Sequence, residues 1–484
     1  MVPPVIAPEN LASLVVEWFQ EKKFLIGFII GQVLISNYYF ANVTKQKVYA
    51  VHLCPMAPEG DNEDEGEKKK NTCLKLADVK DKLFSINAKQ VLRCMPGGFS
   101  ILGIFWSSEG DFWNKKGNAP ELGKLRSLLS VISKLEKHQP WSSDVVHPFP
   151  ELLLNIDKTS TRFSCRTLDL TTMVSSPHPV EWKFHHTPTR WQVVESKVTV
   201  DWKFHTGHLM EPSALMKSFT VGMEPFMESI AKAICLFNGE LRDEDEILNT
   251  DTGKRLSRRR GSDEILSPIN VDFLIKPAFL EKHGEVCGEE QQNVPCGMGF
   301  WMKVQGTLCA RAYLHSKATI SEALEYLKRD VILTLAHRWQ MHCDSLLEDM
   351  DGTEEDMVLH EPPRRIFVPI SEGSQICFCD YIYPEETGGE VCSSLSELLG
   401  IPLNEDSIDM DSEVPPSQVE EGAMTSSDGE ETASEANSVH VMATTETKGN
   451  SVFILGSVLA CLFALAAAFF VSQQASHNGE LTSQ

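Results

Sequence analysis

Pro96-Gly97-Gly98-Phe99-Ser100-Ile101-Leu102-Gly103-Ile104-Phe105-Trp106 reads as a chain breaker followed at once by a buried strand. Proline removes a backbone donor and glycine brings no Cβ, so a helix arriving from upstream stops there. Phe99 to Trp106 is then short, apolar and of strand length. Working outward, VKDKLFSINAKQVLRCM (79–95) has helical spacing before the breaker. Pro120 to Lys137 places Leu122, Leu125, Leu128, Leu129, Ile132 and Leu135 on one helical face after the strand. FLIGFIIGQVLI (24–35) and KVYAVHLC (47–54) are two further strands, and Asn10 to Glu21 is an amphipathic helix marked by Leu11, Leu14, Val15 and Phe19. ELLLNID (151–157) and RFSCRTLDL (162–170) flank the turn signal DKTST. Strands and helices in this irregular order imply an α+β fold.

A second α+β portion is expected over 215–390, after a first domain over 8–214. It opens with MEPFMESIAKAICLF (223–237), read as helical, and carries a hydrophilic insertion over 240–268 that includes Arg259-Arg260-Gly261-Ser262. Strands are expected at NVDFLIK (270–276) and FWMKVQGTLCARAYLH (300–315). Thr319 and Glu322 form a capping-box pattern for a helix to about Leu347, in which Leu324, Leu327, Val331 and Leu335 mark the apolar stripe. RRIFVPI (364–370) and QICFCDYIY (375–383) read as a hairpin.

The chain has 484 residues and a formal charge of −24, which argues against nucleic acid as a partner because phosphate binding needs concentrated Lys and Arg. Between Arg365 and Lys448 there is no Lys or Arg, and residues 403–450 are expected to form a disordered acidic tether. Residues 452–471, VFILGSVLACLFALAAAFFV, are apolar or small throughout. Twenty residues rising about 1.5 Å each span roughly 30 Å, so a single transmembrane helix at the tail is expected, with the lipid bilayer as partner. Gly456, Ala460, Ala464 and Ala468 form a small-residue packing stripe along it.

In many metalloproteases of the JAB/MPN fold, a Glu stands three residues before the first Gly of a Gly-Leu-Leu-Leu-Gly strand. A later strand supplies two His ligands, and Ser and Asp follow. Gly27-Phe28-Ile29-Ile30-Gly31 and the Pro96 to Trp106 stretch resemble that layout. Phe24 stands in place of the Glu, Trp106 and Ser108 in place of the paired His, and Lys116 and Ala119 in place of the Ser and Asp. Zinc hydrolysis needs three ligands and a base for the bound water, none of which these residues provide. The resemblance therefore implies an inactive MPN-like domain, with no catalytic residue, metal or cofactor.

The order of QVLRCMPGGFSILGIFW, RFSCRTLDL, PVEWKF, CARAYLHSKATISEALEYLKRDVILTLA, RRIFVPI and CDYIYPEE, with an apolar tail behind them, resembles the odorant-response-abnormal protein four family. That resemblance implies a tail-anchored, non-enzymatic adaptor of the endoplasmic-reticulum membrane with a cytosolic N-terminal part. Its implied clients are a subset of G-protein-coupled receptors, odorant receptors among them. The alternative partner it implies is an MPN-containing cysteine protease of the ubiquitin-fold modifier pathway.

Two other chemistries are open from the residues alone. Cys165 or Cys309 with a histidine could make a thiol hydrolase, although no nucleophile signature surrounds either. His185, His186, His205 and His208 could converge on a metal from neighbouring strands, but no carboxylate or cysteine joins them at ligand spacing.

Overall fold

The computed structural model describes residues 3–21, 24–38, 43–56, 75–115, 117–139, 151–172, 175–186, 189–206, 212–248, 266–275, 300–349, 362–371, 373–413 and 440–443. Gly456, Ala460, Ala464 and Ala468, with the rest of the expected membrane helix, lie outside these residues, as do Lys116 and His208. Among the described residues, no helix is long and apolar enough to cross a membrane.

The first sheet is mixed and eight-stranded. Its strands are β1 (Val5–Pro8), β2 (Ile26–Tyr38), β3 (Val43–Pro55), β4 (Ser100–Ser108), β5 (Glu151–Asp157), β6 (Phe163–Leu168), β7 (His178–Val180) and β8 (Trp182–His185). They lie in the order β7-β6-β5-β4-β2-β3-β1-β8, antiparallel except for β4 with β5 and β1 with both neighbours. The two edge strands are consecutive in the chain, parted by Glu181 alone. Phe163 on β6 meets Trp182 and Phe184 on β8 with ring centroids 6.2 and 4.9 Å apart. The sheet thus curls around helix α1 (Asn10–Glu21), whose Leu11, Val15 and Trp18 pack with Ile29, Leu53 and Phe105. Its other face takes α2 (Asp81–Cys94) and α3 (Ala119–Lys137) through Phe84, Val91, Leu125 and Leu129.

The second sheet gathers β9 (Trp191–Thr206), β10 (Ile234–Phe237), β11 (Ile269–Leu274), β12 (Phe300–His315) and β15 (His440–Ala443) in the order β10-β11-β9-β12-β15. β9 precedes residue 215 but runs antiparallel to β12 along both full lengths, from Trp191 opposite His315 to Thr206 opposite Phe300. Helices α4 (Pro212–Lys232) and α5 (Ile320–Asp349) cover this sheet, and Phe219 stacks on Trp339 at 4.0 Å. A hairpin of β13 (Arg364–Pro369) and β14 (Cys377–Ile382) packs against α2, and α6 (Gly388–Leu399) follows it. One apolar core runs from α2 and α3 through both sheets to α6.

Three expectations are corrected. The helix read through Phe237 ends at Lys232, because Ile234 to Phe237 pair with β11 as an edge strand and that pairing overrides helical periodicity. The start of the hydrophilic insertion is packed: Arg242 binds the carbonyls of Ile247 and Leu248, and Leu248 is buried. The acidic run expected to be unfolded over 403–450 is held through Glu413, which is buried against arginines, and again at His440–Ala443, which pair with β12.

Candidate functional site

Strand β4 has chemistry at both ends. At its C-terminal end Leu25 and Ser107 exchange two bonds, Leu25 N to Ser107 Oγ and Ser107 N to Leu25 O, both 2.8 Å. This register sets Phe24 beside Ser108, with Trp106 opposite Ile26. Phe24, Trp106 and Ser108 thus lie at one end of two adjacent strands. Ala119 is the exposed first residue of α3. Trp106 is 1% exposed and lies edge-on to Phe112 and Trp113 at 5.0 and 5.7 Å. Its Nε1 is buried without a hydrogen-bond partner. Ser108 Oγ accepts from Asn155 Nδ2 at 2.9 Å and lies 2.9 Å from the carbonyl of Gly110, to which it donates. Arg166 covers the Trp113 ring at 4.5 Å. Rings and hydroxyl pairs occupy this end, and the Asp157 carboxylate of β5, opposite Ser108, accepts from Gly110 N at 3.0 Å, Thr159 N at 2.9 Å and Ser160 Oγ at 2.6 Å.

The thiols are equally unsuited to nucleophilic work. Burial pushes the Cys165 thiol well up, and pushes Cys309 up to about 11, with the Glu413 carboxylate adding to the effect. A thiol held protonated this way is the opposite of an activated one. Of the histidines, His185 is exposed on β8 and His186 pairs with Glu9, while His205 lies on β9 in the other sheet. Among the described residues, no group of three or more His, Cys, Asp or Glu could hold a metal.

At the N-terminal end of β4 the picture reverses. Gly97 forms a parallel bridge to Ala312 on β12, its N–H donating to Arg311 O at 3.0 Å and its carbonyl accepting from Tyr313 N at 2.9 Å. Gly98 has φ +88°, and a Cβ there would stand 2.1 Å from Tyr313 O. At Gly97 a Cβ would meet Tyr326 O at 2.8 Å and Asp330 Cβ at 3.1 Å. Only glycine lets the two sheets approach this closely. Gln32 of β2, 3% exposed, completes the joint. Its Nε2 donates to Gly98 O (2.8 Å) and Tyr313 O (2.9 Å), and its Oε1 accepts from His315 N (3.1 Å).

Behind this joint, α5 carries a buried polar row at every fourth residue: Asp330, Thr334, Arg338 and His342. Asp330 makes a two-pronged pair with Arg365 of β13, at 2.6 and 3.0 Å, with both side chains almost wholly buried. Arg365 also donates to Cys379 Sγ at 3.1 Å and Cys309 O at 3.3 Å. The carboxylate holds the guanidinium charged despite burial. Tyr381 Oη donates to Thr334 at 3.0 Å. A cleft of about 460 Å³, open mouth included, lies between the Pro96 to Ser100 turn and Tyr326, Arg329 and Glu136. Arg329 donates to Gln139 at 3.1 Å across it.

Sequence pattern points to one end of β4 and passes over Gln32, Asp330, Arg338, Arg365 and Glu413, which build and back the other. The available signal was the four-residue spacing of polar groups beside the apolar stripe of α5.

The family model described as odorant response abnormal 4-like matches residues 27–410. A protein of Xenopus laevis named Protein odr-4 homolog is 28% identical over 403 residues, covering 81% of this chain and 82% of its own. The Homo sapiens protein of the same name is 26% identical over 386 residues, covering 78% and 79%. Odorant response abnormal protein 4 of Caenorhabditis elegans is 19% identical over 342 residues, covering 68% and 66%. Among solved structures, UfSP from C. elegans gives a TM-score of 0.39 at 8% identity, covering 83% of this chain and 57% of that one. A shared fold does not follow from that score.

Proposed function

This chain belongs to the odorant response abnormal 4-like family, and from that premise we propose that it is a non-enzymatic, tail-anchored membrane adaptor for a subset of G-protein-coupled receptors such as odorant receptors. It would act in their folding, maturation or trafficking from the endoplasmic reticulum, with the folded part in the cytosol. The observation that carries this reading is the family match across most of the folded chain, together with a worm relative whose name speaks of odorant response. The rings at Phe24, Trp106 and Phe112 agree with a binding scaffold of MPN-like layout emptied of its metal chemistry. The apolar run at 452–471 supplies the anchor in this reading.

The test is receptor delivery. An odorant-type receptor is co-expressed with the full chain, or with a chain lacking 452–471, and surface receptor is counted. The full chain should raise the count and the shortened chain should not; equal counts in cells with and without the full chain overturn the reading. Zinc content and isopeptide cleavage, measured on the same purified chain, address catalysis. Stoichiometric zinc with chelator-sensitive cleavage would overturn the non-enzymatic half. Capture of a ubiquitin-fold modifier protease without any receptor effect would move the client from receptor to protease.

A further inference from the structure

After α6 the chain turns back across the outer edge of β13. Asp409 pairs with Phe367 through both backbone bonds, Asp409 N to Phe367 O at 2.8 Å and Phe367 N to Asp409 O at 3.3 Å. It thereby adds a short third strand to the hairpin. The Asp409 carboxylate stands 3.4 Å from Arg311 Nη2, and the Arg311 guanidinium lies over the Phe367 ring at 3.9 Å. Arg311 also faces Glu195 at 2.7 Å. Arg364 Nη1 donates to the carbonyls of Met410 and Glu413.

Four residues beyond Asp409, Glu413 enters the interior and is 6% exposed. Its Oε1 accepts from Cys309 N and Arg338 Nη2, both at 2.6 Å. Its Oε2 accepts from Arg365 N at 2.9 Å and again from Arg338 Nη2. Two arginine side chains, Arg311 of β12 and Arg338 of α5, with the N–H groups of Cys309 and Arg365, thus converge on the two carboxylates of one short segment, while Arg364 of β13 holds its carbonyls.

The segment itself is unlike core. Asn404 to Glu413 reads NEDSIDMDSE, whose two large apolar residues, Ile408 and Met410, are half-buried. Its side-chain bonds to itself are local turns, Ser412 to Asp409 and Ser407 to Asn404. Glu405–Ser407 is a turn of 3-10 helix and the chain bends at Ser412 and Glu413, but between them the segment lies along the sheet edge, pairs there through Asp409 and sends the Glu413 carboxylate into the interior. That is how a strand-adding peptide binds a receptor domain.

We propose that residues 408–413 are a self-ligand, filling a groove formed by the β13 edge with Arg311, Arg338 and Arg364, and that this groove takes an acidic extended peptide from a partner when the segment is displaced. The recognised chemistry is two carboxylates four residues apart on a segment that pairs at the first and bends inward before the second, one at the rim and one buried. Arg338 is 4% exposed, so a displaced Glu413 must be replaced by another carboxylate or leave a buried charge unpaired. The tethered segment competes at the high effective concentration of a short linker, roughly millimolar, so the groove is closed to weak peptides in the resting chain.

The test uses the full chain and a fluorescent peptide spanning 404–416. The doubly substituted chain Asp409→Asn with Glu413→Gln weakens its own segment and should bind the peptide saturably, at least tenfold more tightly than the unsubstituted chain does. Binding should fall with added salt and vanish for a peptide carrying Glu413→Gln. A substituted chain that melts normally but binds no better than the original overturns the proposal. If the double variant does not fold, the milder Asp409→Asn chain is probed by limited proteolysis. Cleavage within 404–413 that leaves the rest intact supports displacement, whereas resistance equal to the unsubstituted chain, or failure of this variant to fold, marks the segment as core and overturns it.

Discussion

The two ends of β4 lie one strand length apart and are filled in opposite ways. The end at Trp106 and Ser108 is sealed with rings, and its polar groups, the Ser108–Asn155 pair and the Asp157 carboxylate on Gly110 N, are satisfied within the neighbouring turn and strand. The end at Gly97 and Gly98 is joined by backbone bonds to another sheet, braced by a buried glutamine, and backed by a buried ion pair. A sealed end needs only volume and tolerates many apolar solutions. A joined end needs particular donors and acceptors at fixed places, since each unmet one carries a desolvation cost. The difference shows where the sequence is constrained: at the joint, not at the strand end where hydrolytic chemistry was expected to be missing.

The largest expected effect separates these two kinds of filling. Arg365→Met leaves Asp330 buried without its partner and should cost about 3–5 kcal/mol in denaturant unfolding. Replacing Asp330 by Leu as well should recover most of that loss; if the double variant is as unstable as the single, the joint does not depend on the pair's charge balance. At the sealed end Trp106→Ala should cost about 3–5 kcal/mol through its cavity, and Trp106→Phe clearly less. Trp106→His with Ser108→His should still bind no stoichiometric zinc by elemental mass spectrometry, because Phe24 and Ala119 offer no further ligand and the Asp157 carboxylate opposite Ser108 is engaged by Gly110 N, Thr159 N and Ser160 Oγ.

Smaller effects sharpen the joint itself. Gly98→Ala should cost about 1–3 kcal/mol for the backbone conformation alone, with the contact to Tyr313 O adding to it. Gln32→Leu leaves the Gly98 and Tyr313 carbonyls and the His315 N–H short of partners. It should cost about 1–3 kcal/mol and speed amide exchange at His315.

The mildest test is pH. Burial lowers His52 to about 4, His315 to about 4 and His337 to about 3, with Lys and Arg neighbours adding to the last two. Each contributes stability that is present above 6.5 and lost as pH falls toward its folded value. Burial raises Glu136 to about 7, and raises Glu151 to about 8 with help from Glu136. These contribute stability that is present below 4.5 and lost as pH rises through 7 to 8. Above 6.5 the histidines are neutral in both states while Glu136 and Glu151 still lose their contribution, so the melting temperature should fall between pH 6.5 and 8.

Much of the architecture was legible because it is written in local periodicity. The α1 span, the strands at 24–35, 47–54 and 151–157, and the long helix from Thr319 all show apolar spacing that needs no tertiary information. What local patterns do not carry is which strand pairs with which. β9 follows the first group in sequence but joins β12, and Ile234 to Phe237 look helical until β11 is beside them. Thr387 and Glu390 announce α6 by a capping box that was there to be read. The joint was hidden for a different reason: Gln32 meets Tyr313 across 281 positions and Arg338 meets Glu413 across 75, and single polar residues inside apolar runs give no sign of their partners.

Trp18 Nε1 donates to the carbonyl of Gly400 at 2.7 Å, and His52 pairs with the neighbouring carbonyl of Leu399 at 2.8 Å. The acceptor for Trp18 is 382 residues further along the chain. At about 5–20 residues per second, the ribosome takes roughly 20–80 s to make that stretch. Throughout that interval the emerging N-terminal sheet lacks these two carbonyls for its indole and imidazole, so α6, made late, completes a sheet whose strands were made early. A chain halted before residue 400 would leave this seam open to the chaperones that survey nascent proteins.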